Sequence, residues 1–197
     1  MSELEALLAS ISPKAAASTA KRLIEHYGAT STVMSADPLA LRGLGVSDRM
    51  IAGIKAAYGM SVDAARESVK DKPILSSWNL VIDYARTLIG HAAREHFVVL
   101  FLDRKNRLIE SQTLSTGTVD HAPVYPREVV RAALLRDACA LILIHNHPSG
   151  DTTPSRADID MTRDIQRACK PLGIAVHDHI IISASWHTSM RATSMMD

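Results

Sequence analysis

The first third of the chain places its apolar residues at helical spacing. The stretch "SPKAAASTAKRLIEHYG" predicts one amphipathic helix, which Ser12 caps, Pro13 opens and Gly28 ends. The residues predicted to share its apolar side are Ala17, Ala20, Leu23 and Ile24.

A pair of shorter helical patterns follows in "SADPLALRGLGVSDRMIAGIKAAYG". Gly43-Leu44-Gly45 joins them, and Ser47 is the expected N-cap of the second helix. The residues predicted to form its buried face are Met50, Ile51 and Ile54. This arrangement resembles a helix-hairpin-helix unit.

The pattern of hydrophobic and polar residues changes near residue 72. Pro73 and two serines mark "DKPILSSWN" as a linker, which divides the chain into a small all-α domain, residues 1–72, and a larger domain, residues 73–197. From Ser77 onward, helical patterns alternate with short apolar runs. The alternation predicts an α/β fold in which helices cover a sheet.

Several runs in the larger domain predict the strands and helices of this fold. The predicted strands are "HFVVLFLD", "RLIESQTLSTGTV", the run at residues 140–144 and "IAVHDHIIIS". The predicted helices are "SWNLVIDYARTLIGHAARE", "YPREVVRAALLRDACA" and "SRADIDMTRDIQRACKPLG". The residues expected on the buried side of the last helix are Ile159, Thr162, Ile165, Cys169 and Leu172.

Composition and charge then narrow the class of protein. Hydrophobic residues make up 47%, charged residues 22%, and the net charge is +1, as in an ordinary globular protein rather than a polybasic nucleic-acid binder. The N-terminus lacks the pattern of a secretion signal, and the apolar runs fall short of the roughly 18 residues that span a membrane. Cys139 and Cys169 are expected to be free thiols, which favours a cytoplasmic protein.

The chemistry of the sequence is concentrated in "HNHPSGDTTPSRAD", residues 145–158. Residues two apart in a strand point to the same face, so His145 and His147 can present two imidazoles to one point. Pro148, Gly150 and Pro154 can turn the chain so that Asp158 supplies a third ligand. Two histidines, one aspartate and a water molecule form a familiar catalytic zinc site.

Simpler interpretations exist for each part of this motif. An isolated pair of histidines at the end of a strand is usually exposed to solvent. Ser155 followed by Asp158 is also a helix-capping pattern, with Asp158 in the first turn of the next helix. These interpretations do not explain why all the ligand-type residues converge on one cluster.

The motif resembles a known family. His145-x-His147-Pro148 followed by Ser155-x-x-Asp158 resembles the JAMM (MPN+) metalloprotease signature. The strings "HNHPSGDTTPSRADIDMTR", "GTVDHAPVYPREVV" and "HDHIII" resemble the RadC family, over nearly the whole chain. The resemblance implies an MPN-type mixed sheet with flanking helices, and a zinc ion (Zn²⁺) held by the two histidines and the aspartate.

The resemblance also implies catalytic residues. Glu95 matches the JAMM glutamate, which acts as the general base on a zinc-bound water and then as the acid to the leaving amine. Ser155 would stabilise the oxyanion, a role that competes with helix capping. Glu110 is the reserve candidate for the base. Asp178 and His179 resemble the DH pair of the family, and His177 and His179 are expected to support the metal site or to satisfy polar groups of the core rather than to bind a second metal.

The function favoured by the sequence is a zinc-dependent metallopeptidase or isopeptidase that acts on a protein or peptide. The alternative is a DNA-repair-associated module that binds nucleic acid or protein and whose zinc is structural. DNA binding is considered because the turn before Ser47 can approach a phosphate, and a protein-protein role for this domain is at least as well supported. Basic and acidic residues nearly balance within residues 1–72, and Asp48 would repel phosphate, so weak DNA binding is expected. No membrane partner is expected.

Overall fold

The computed structural model describes residues 1–117 and 124–196, together with the backbone but not the side chain of Leu75. Residues 118–123, part of "GTVDHAPVYPREVV", lie outside the described residues. Two compact units are present, Met1–Ala64 and Ala65–Asp197. The division falls within a continuous helix rather than in the predicted linker after residue 72, because the helical pattern continues to Val69.

The N-terminal part of the chain is helical, as predicted. Its helices are α1 (Glu3–Ile11), α2 (Pro13–Tyr27), α3 (Thr30–Ser35), α4 (Pro38–Gly43) and α5 (Asp48–Val69). Met50, Ile51 and Ile54 are buried, which confirms the predicted face of α5. In α2 the prediction for Ala17 is wrong, because Ala16 occupies the buried position and Ala17 is exposed.

The second unit contains a mixed sheet, as the resemblance implied. Its strands are β1 (His96–Leu102), β2 (Leu108–Thr116), β3 (Ala140–Asn146), β4 (Ala175–Ile182) and β5 (His187–Ser189). The order across the sheet is β2-β1-β3-β4-β5. β3 pairs antiparallel with β1 and parallel with β4, while β5 was not predicted.

Helices of the second unit flank this sheet and are α6 (Trp78–Ala85), α7 (Pro126–Leu134) and α8 (Arg156–Cys169). α6 continues into a π-helical turn, residues 86–90. α8 ends at Cys169, and Leu172 is 48% exposed on the following 3₁₀ turn, contrary to its predicted burial. Leu172 is exposed because the change of helix type rotates it away from the buried face.

Strand β3 lies at the centre of the sheet, and every one of its residues is buried. Leu141 and Leu143 pack in one core with Val129 of α7 and Ile165 of α8. Because side chains alternate along a strand, His145 continues the row of Leu141 and Leu143 toward the end of β3. His145 therefore lies near the C-terminal end of β3, on the side of the sheet that faces this core. Among the described residues, no helix has the length and apolar character needed to span a bilayer.

The two cysteines give a test of this core. Cys169 is fully buried, and burial raises the pKa of its thiol to about 11, whereas Cys139 is partly exposed. Since the thiolate is the reactive form, a thiol reagent should modify Cys139 in the native protein and reach Cys169 only after unfolding. Mass spectrometry of the labelled protein, with and without denaturant, measures this. Rapid native labelling of Cys169 would contradict the packing described.

Candidate metal centre

Three ligand-type side chains meet at the end of β3. His145 and His147 face each other with 2.9 Å between their Nε2 atoms. Asp158, in the first turn of α8, lies with Oδ1 3.3 Å from His145 Nε2 and Oδ2 3.7 Å from His147 Nε2. The structure thus brings together the three residues that the sequence predicted as metal ligands.

The spacing of these atoms suits a small tetrahedral cation. Zinc takes nitrogen and oxygen ligands at about 2.0–2.1 Å, which places neighbouring ligand atoms of a tetrahedron about 3.3 Å apart. The observed separations of 2.9, 3.3 and 3.7 Å bracket that value. Two imidazoles and one carboxylate are also a donor set that zinc accepts. The residues present therefore fit a zinc ion.

Helix capping orients the aspartate. Asp158 Oδ2 accepts hydrogen bonds from the backbone N–H of Ser155 at 2.8 Å and from its Oγ at 2.6 Å. In return, the Asp158 N–H donates to Ser155 Oγ at 3.1 Å, which completes a capping box. The capping interpretation and the ligand interpretation therefore hold together, because the cap points the carboxylate at the histidines.

A backbone carbonyl fixes the ring of His147. Its Nδ1 lies 2.6 Å from the carbonyl oxygen of Asp151, and a carbonyl can only accept. The hydrogen on His147 is consequently held at Nδ1, which keeps the lone pair of Nε2 for a metal ion. This arrangement of a ligand histidine and an outer carbonyl is common in metal sites.

The three groups perturb one another's protonation. Burial lowers the pKa of His145 to about 4, whereas the nearby carboxylate of Asp158 raises the pKa of His147. Burial opposes ionisation of Asp158, but the attraction of the His147 and His145 rings outweighs it and holds the pKa of Asp158 well below the usual range. Without metal, His147 is therefore the member of this cluster that takes up a proton first as pH falls, on Nε2, which faces Asp158.

Asn146, between the two histidines in the chain, points the other way. Its Oδ1 accepts from the His96 N–H at 2.8 Å, and its Nδ2 donates to the carbonyls of Ala92 and Arg94 at 3.3 and 3.0 Å. The side chain is 1% exposed. These bonds tie the segment on both sides of Glu95 to the end of β3. Sequence reasoning missed this residue, although an amide within a buried strand end was a signal.

The two candidate bases lie in different surroundings. Glu95 is partly buried just before β1, and its charge contributes to the raised pKa of His147, so it is electrostatically coupled to the metal cluster. Glu110 lies on β2 and pairs with Arg136, with Oε2 2.9 Å from Nε. Glu110, the reserve candidate for the base, is therefore engaged in an ion pair with Arg136.

Ser155 is placed at the cluster, but its hydroxyl donates to Asp158. To stabilise an oxyanion, the hydroxyl has to rotate away from that carboxylate. The second role predicted for Ser155 stays a prediction.

The DH pair divides between two tasks. The carboxylate of Asp178 accepts from the backbone N–H of His179 at 2.7 Å, from that of Arg191 at 3.0 Å and from the Ser189 hydroxyl. Asp178 thereby ties β4 to the segment that contains β5. His179 turns toward the metal cluster, with Nε2 2.7 Å from Nδ1 of His145.

The proton on His147 predicts how metal binding depends on pH. Zinc has to displace that proton, so its apparent affinity should fall as pH falls through the raised pKa of His147. Protonation of His145 adds to the loss only near its pKa of about 4. Zinc titrations between about pH 5 and about pH 8 measure this, with the exposed His26→Gln as control. An affinity that does not change over this range would contradict the assignment.

Comparison with known proteins identifies the family of this chain. A family model described as RadC-like JAB domain matches residues 75–195. The chain is also similar to a UPF0758 protein of Rhodobacter capsulatus, with 46% identity over 178 residues, which cover 90% of this chain and 83% of that protein. The match includes the strands and helices that carry His145, His147 and Asp158. The chain belongs to the RadC family and carries its RadC-like JAB domain.

Proposed function

We propose that this protein is a zinc-dependent hydrolase of the JAMM type that cleaves an amide bond, either a peptide or an isopeptide bond. The observation that carries the proposal is the cluster of His145, His147 and Asp158, whose ligand atoms all lie within 4.8 Å of one another. The family to which the chain belongs adds support, since its matched domain is a JAB domain.

The number of ligands favours a catalytic site over a structural one. Structural zinc sites close with four protein ligands, whereas catalytic sites use three and leave one position open. Within the described residues, the metal-binding group has three members. This count favours the hydrolase over the alternative of an interaction module with a structural zinc.

The chemistry needs a Lewis acid and a base. A zinc ion held by His145, His147 and Asp158 would supply the first, since zinc lowers the pKa of a bound water molecule toward about 7. The Glu95 carboxylate accepts the proton of the attacking water and passes it to the nitrogen of the leaving amine, so the proton balance closes on one residue. Ser155 donates its hydroxyl to the developing oxyanion after it leaves Asp158.

The first test separates the base from the ligands. Glu95→Gln should keep the zinc but reduce cleavage of a fluorescence-quenched peptide library by at least ~100-fold, the scale of a lost general base. His147→Ala should lose the zinc itself, because two ligands remain. Elemental analysis and the peptide assay on the same preparations measure both.

Glu110→Gln is the matched control for Glu95→Gln, because it makes the same change on a carboxylate paired with Arg136. It should keep both zinc and activity. Full activity in Glu95→Gln would exclude Glu95 as the base. Zinc-loaded wild-type protein that cleaves no peptide or isopeptide would contradict the hydrolase.

The second test concerns the three hydrogen bonds by which Asn146 holds the backbone on both sides of Glu95, here called the Asn146 clamp. Asn146→Ala removes three hydrogen bonds to residues 92–96 while it leaves the metal ligands in place. Because small misplacements of a catalytic group are costly, kcat should fall by about 10- to 100-fold with zinc content unchanged. Asn79→Ala, at an exposed asparagine of α6, is the control. An unchanged kcat would show that the clamp does not position Glu95.

A further inference from the structure

A buried chain of hydrogen bonds runs behind the metal cluster and returns to it. His145 Nδ1 lies 2.7 Å from His179 Nε2, and His179 Nδ1 lies 2.6 Å from Thr162 Oγ1. Thr162 Oγ1 lies in turn 2.6 Å from the backbone carbonyl of Asp158. The chain therefore begins at one proposed ligand and ends on the main chain of another.

The side chains inside this hydrogen-bonded chain are buried from solvent. His179 and Thr162 are both 0% exposed. The ring of Phe97 packs against His179 edge to face, with 5.7 Å between ring centroids, and the Met190 sulfur lies 3.8 Å from Thr162 Oγ1. Polar groups in such surroundings have to satisfy each other, because an unpaired buried donor or acceptor is costly.

The Asp158 carbonyl determines which atom donates and which accepts in every hydrogen bond of this series. A carbonyl only accepts, so the single hydrogen of the Thr162 hydroxyl is donated to it. Thr162 Oγ1 must then accept from His179, which places the His179 hydrogen on Nδ1. An ionised imidazole in this buried, apolar surrounding would carry a large desolvation cost, so His179 is neutral with its single hydrogen on Nδ1, and its Nε2 is an acceptor.

The acceptor role of His179 Nε2 determines the tautomer of the candidate ligand His145. His179 Nε2 accepts the hydrogen of His145 Nδ1, which leaves the lone pair of His145 Nε2 directed at His147 and Asp158. The opposite direction would put the hydrogen on His145 Nε2, where it blocks a metal ion. One backbone carbonyl of α8 thus selects the tautomer of a histidine on β3.

We propose that His179 and Thr162 are positioning residues, which hold His145 in its metal-binding tautomer and link it to the main chain of Asp158. The inference rests on the metal site of the proposed function but not on its catalytic step. Outer partners of ligand histidines commonly contribute a 10- to 100-fold change in metal affinity. The link differs from that of His147, which reaches a carbonyl directly.

The first measurement is zinc affinity, by competition with a chelating dye. Thr162→Val keeps the shape of the side chain but removes the hydroxyl, so it should weaken zinc binding by about 10-fold. Thr162→Ser restores the hydroxyl and should return the affinity to near the wild-type value. His179→Phe removes both nitrogens and should weaken binding by about 10- to 100-fold.

The matched control is His177→Phe, the same change two residues earlier on β4. His177 is partly buried, and its Nε2 lies 2.7 Å from Asn106 Oδ1, outside the chain of hydrogen bonds. This variant should bind zinc as the wild type does. If wild-type affinity is retained in both Thr162→Val and His179→Phe, the inference is overturned while the zinc site stands. If the wild type itself binds no zinc, the proposed function fails.

The second measurement observes the tautomers directly in the metal-free protein. Nitrogen-15 NMR of histidine-labelled protein should show His145 and His179 protonated at Nδ1, and Thr162→Val should disturb this pattern while Thr162→Ser preserves it. A role limited to packing would leave the tautomers unchanged in Thr162→Val, and that result overturns the inference. So does a wild-type His145 protonated at Nε2, whatever its zinc affinity.

Discussion

The central constraint in this structure is the burial of polar side chains at the end of β3. Five apolar residues carry the strand into the core, and His145 and Asn146 then follow at 5% and 1% exposure. Buried polar groups need partners, because leaving one unpaired costs on the order of 1–3 kcal/mol. Satisfying these two side chains organises both the metal cluster and the segment that carries Glu95.

Strand alternation separates the two tasks. His145 lies in line with Leu141 and Leu143, so it faces the core shared with α7 and α8, and Asp158 lies in the first turn of α8. Asn146 faces the other way and holds the segment that precedes β1. Neighbouring residues of one strand thus contact different parts of the structure, His145 the candidate ligands and Asn146 the segment that contains Glu95, so each contact can be tested separately.

Several groups serve both the fold and the site. The capping box of α8 would form in any helix that begins with this sequence, yet here it also aims the Asp158 carboxylate at two imidazoles. Thr162 makes a common bond to the carbonyl four residues earlier, and that bond determines the direction of the chain that ends at His145. Ordinary helical hydrogen bonds therefore orient the Asp158 carboxylate and determine which ring nitrogens carry hydrogen at the site.

Local pattern predicted most of the elements around the site, their type, and the three residues that the structure brings together as a possible metal-binding group. The apolar run before His145, the spacing of the two histidines and the helix start at Ser155 are all short-range features, and short-range features follow from periodicity and capping. The same reasoning missed β5 and misplaced Leu172, because a three-residue strand and a change of helix type leave little periodic signal.

Tertiary structure alone decided how the site is completed. Asn146 reaches residues 92–96, His145 reaches His179, and Glu110 is drawn to Arg136, and all of these contacts join parts of the chain that are far apart in sequence. Such pairings depend on the order of strands in the sheet and on which face each side chain occupies. The sequence by itself therefore determined which residues are candidate metal ligands, and the packing of β1, β3, β4 and α8 decided which other residues contact them.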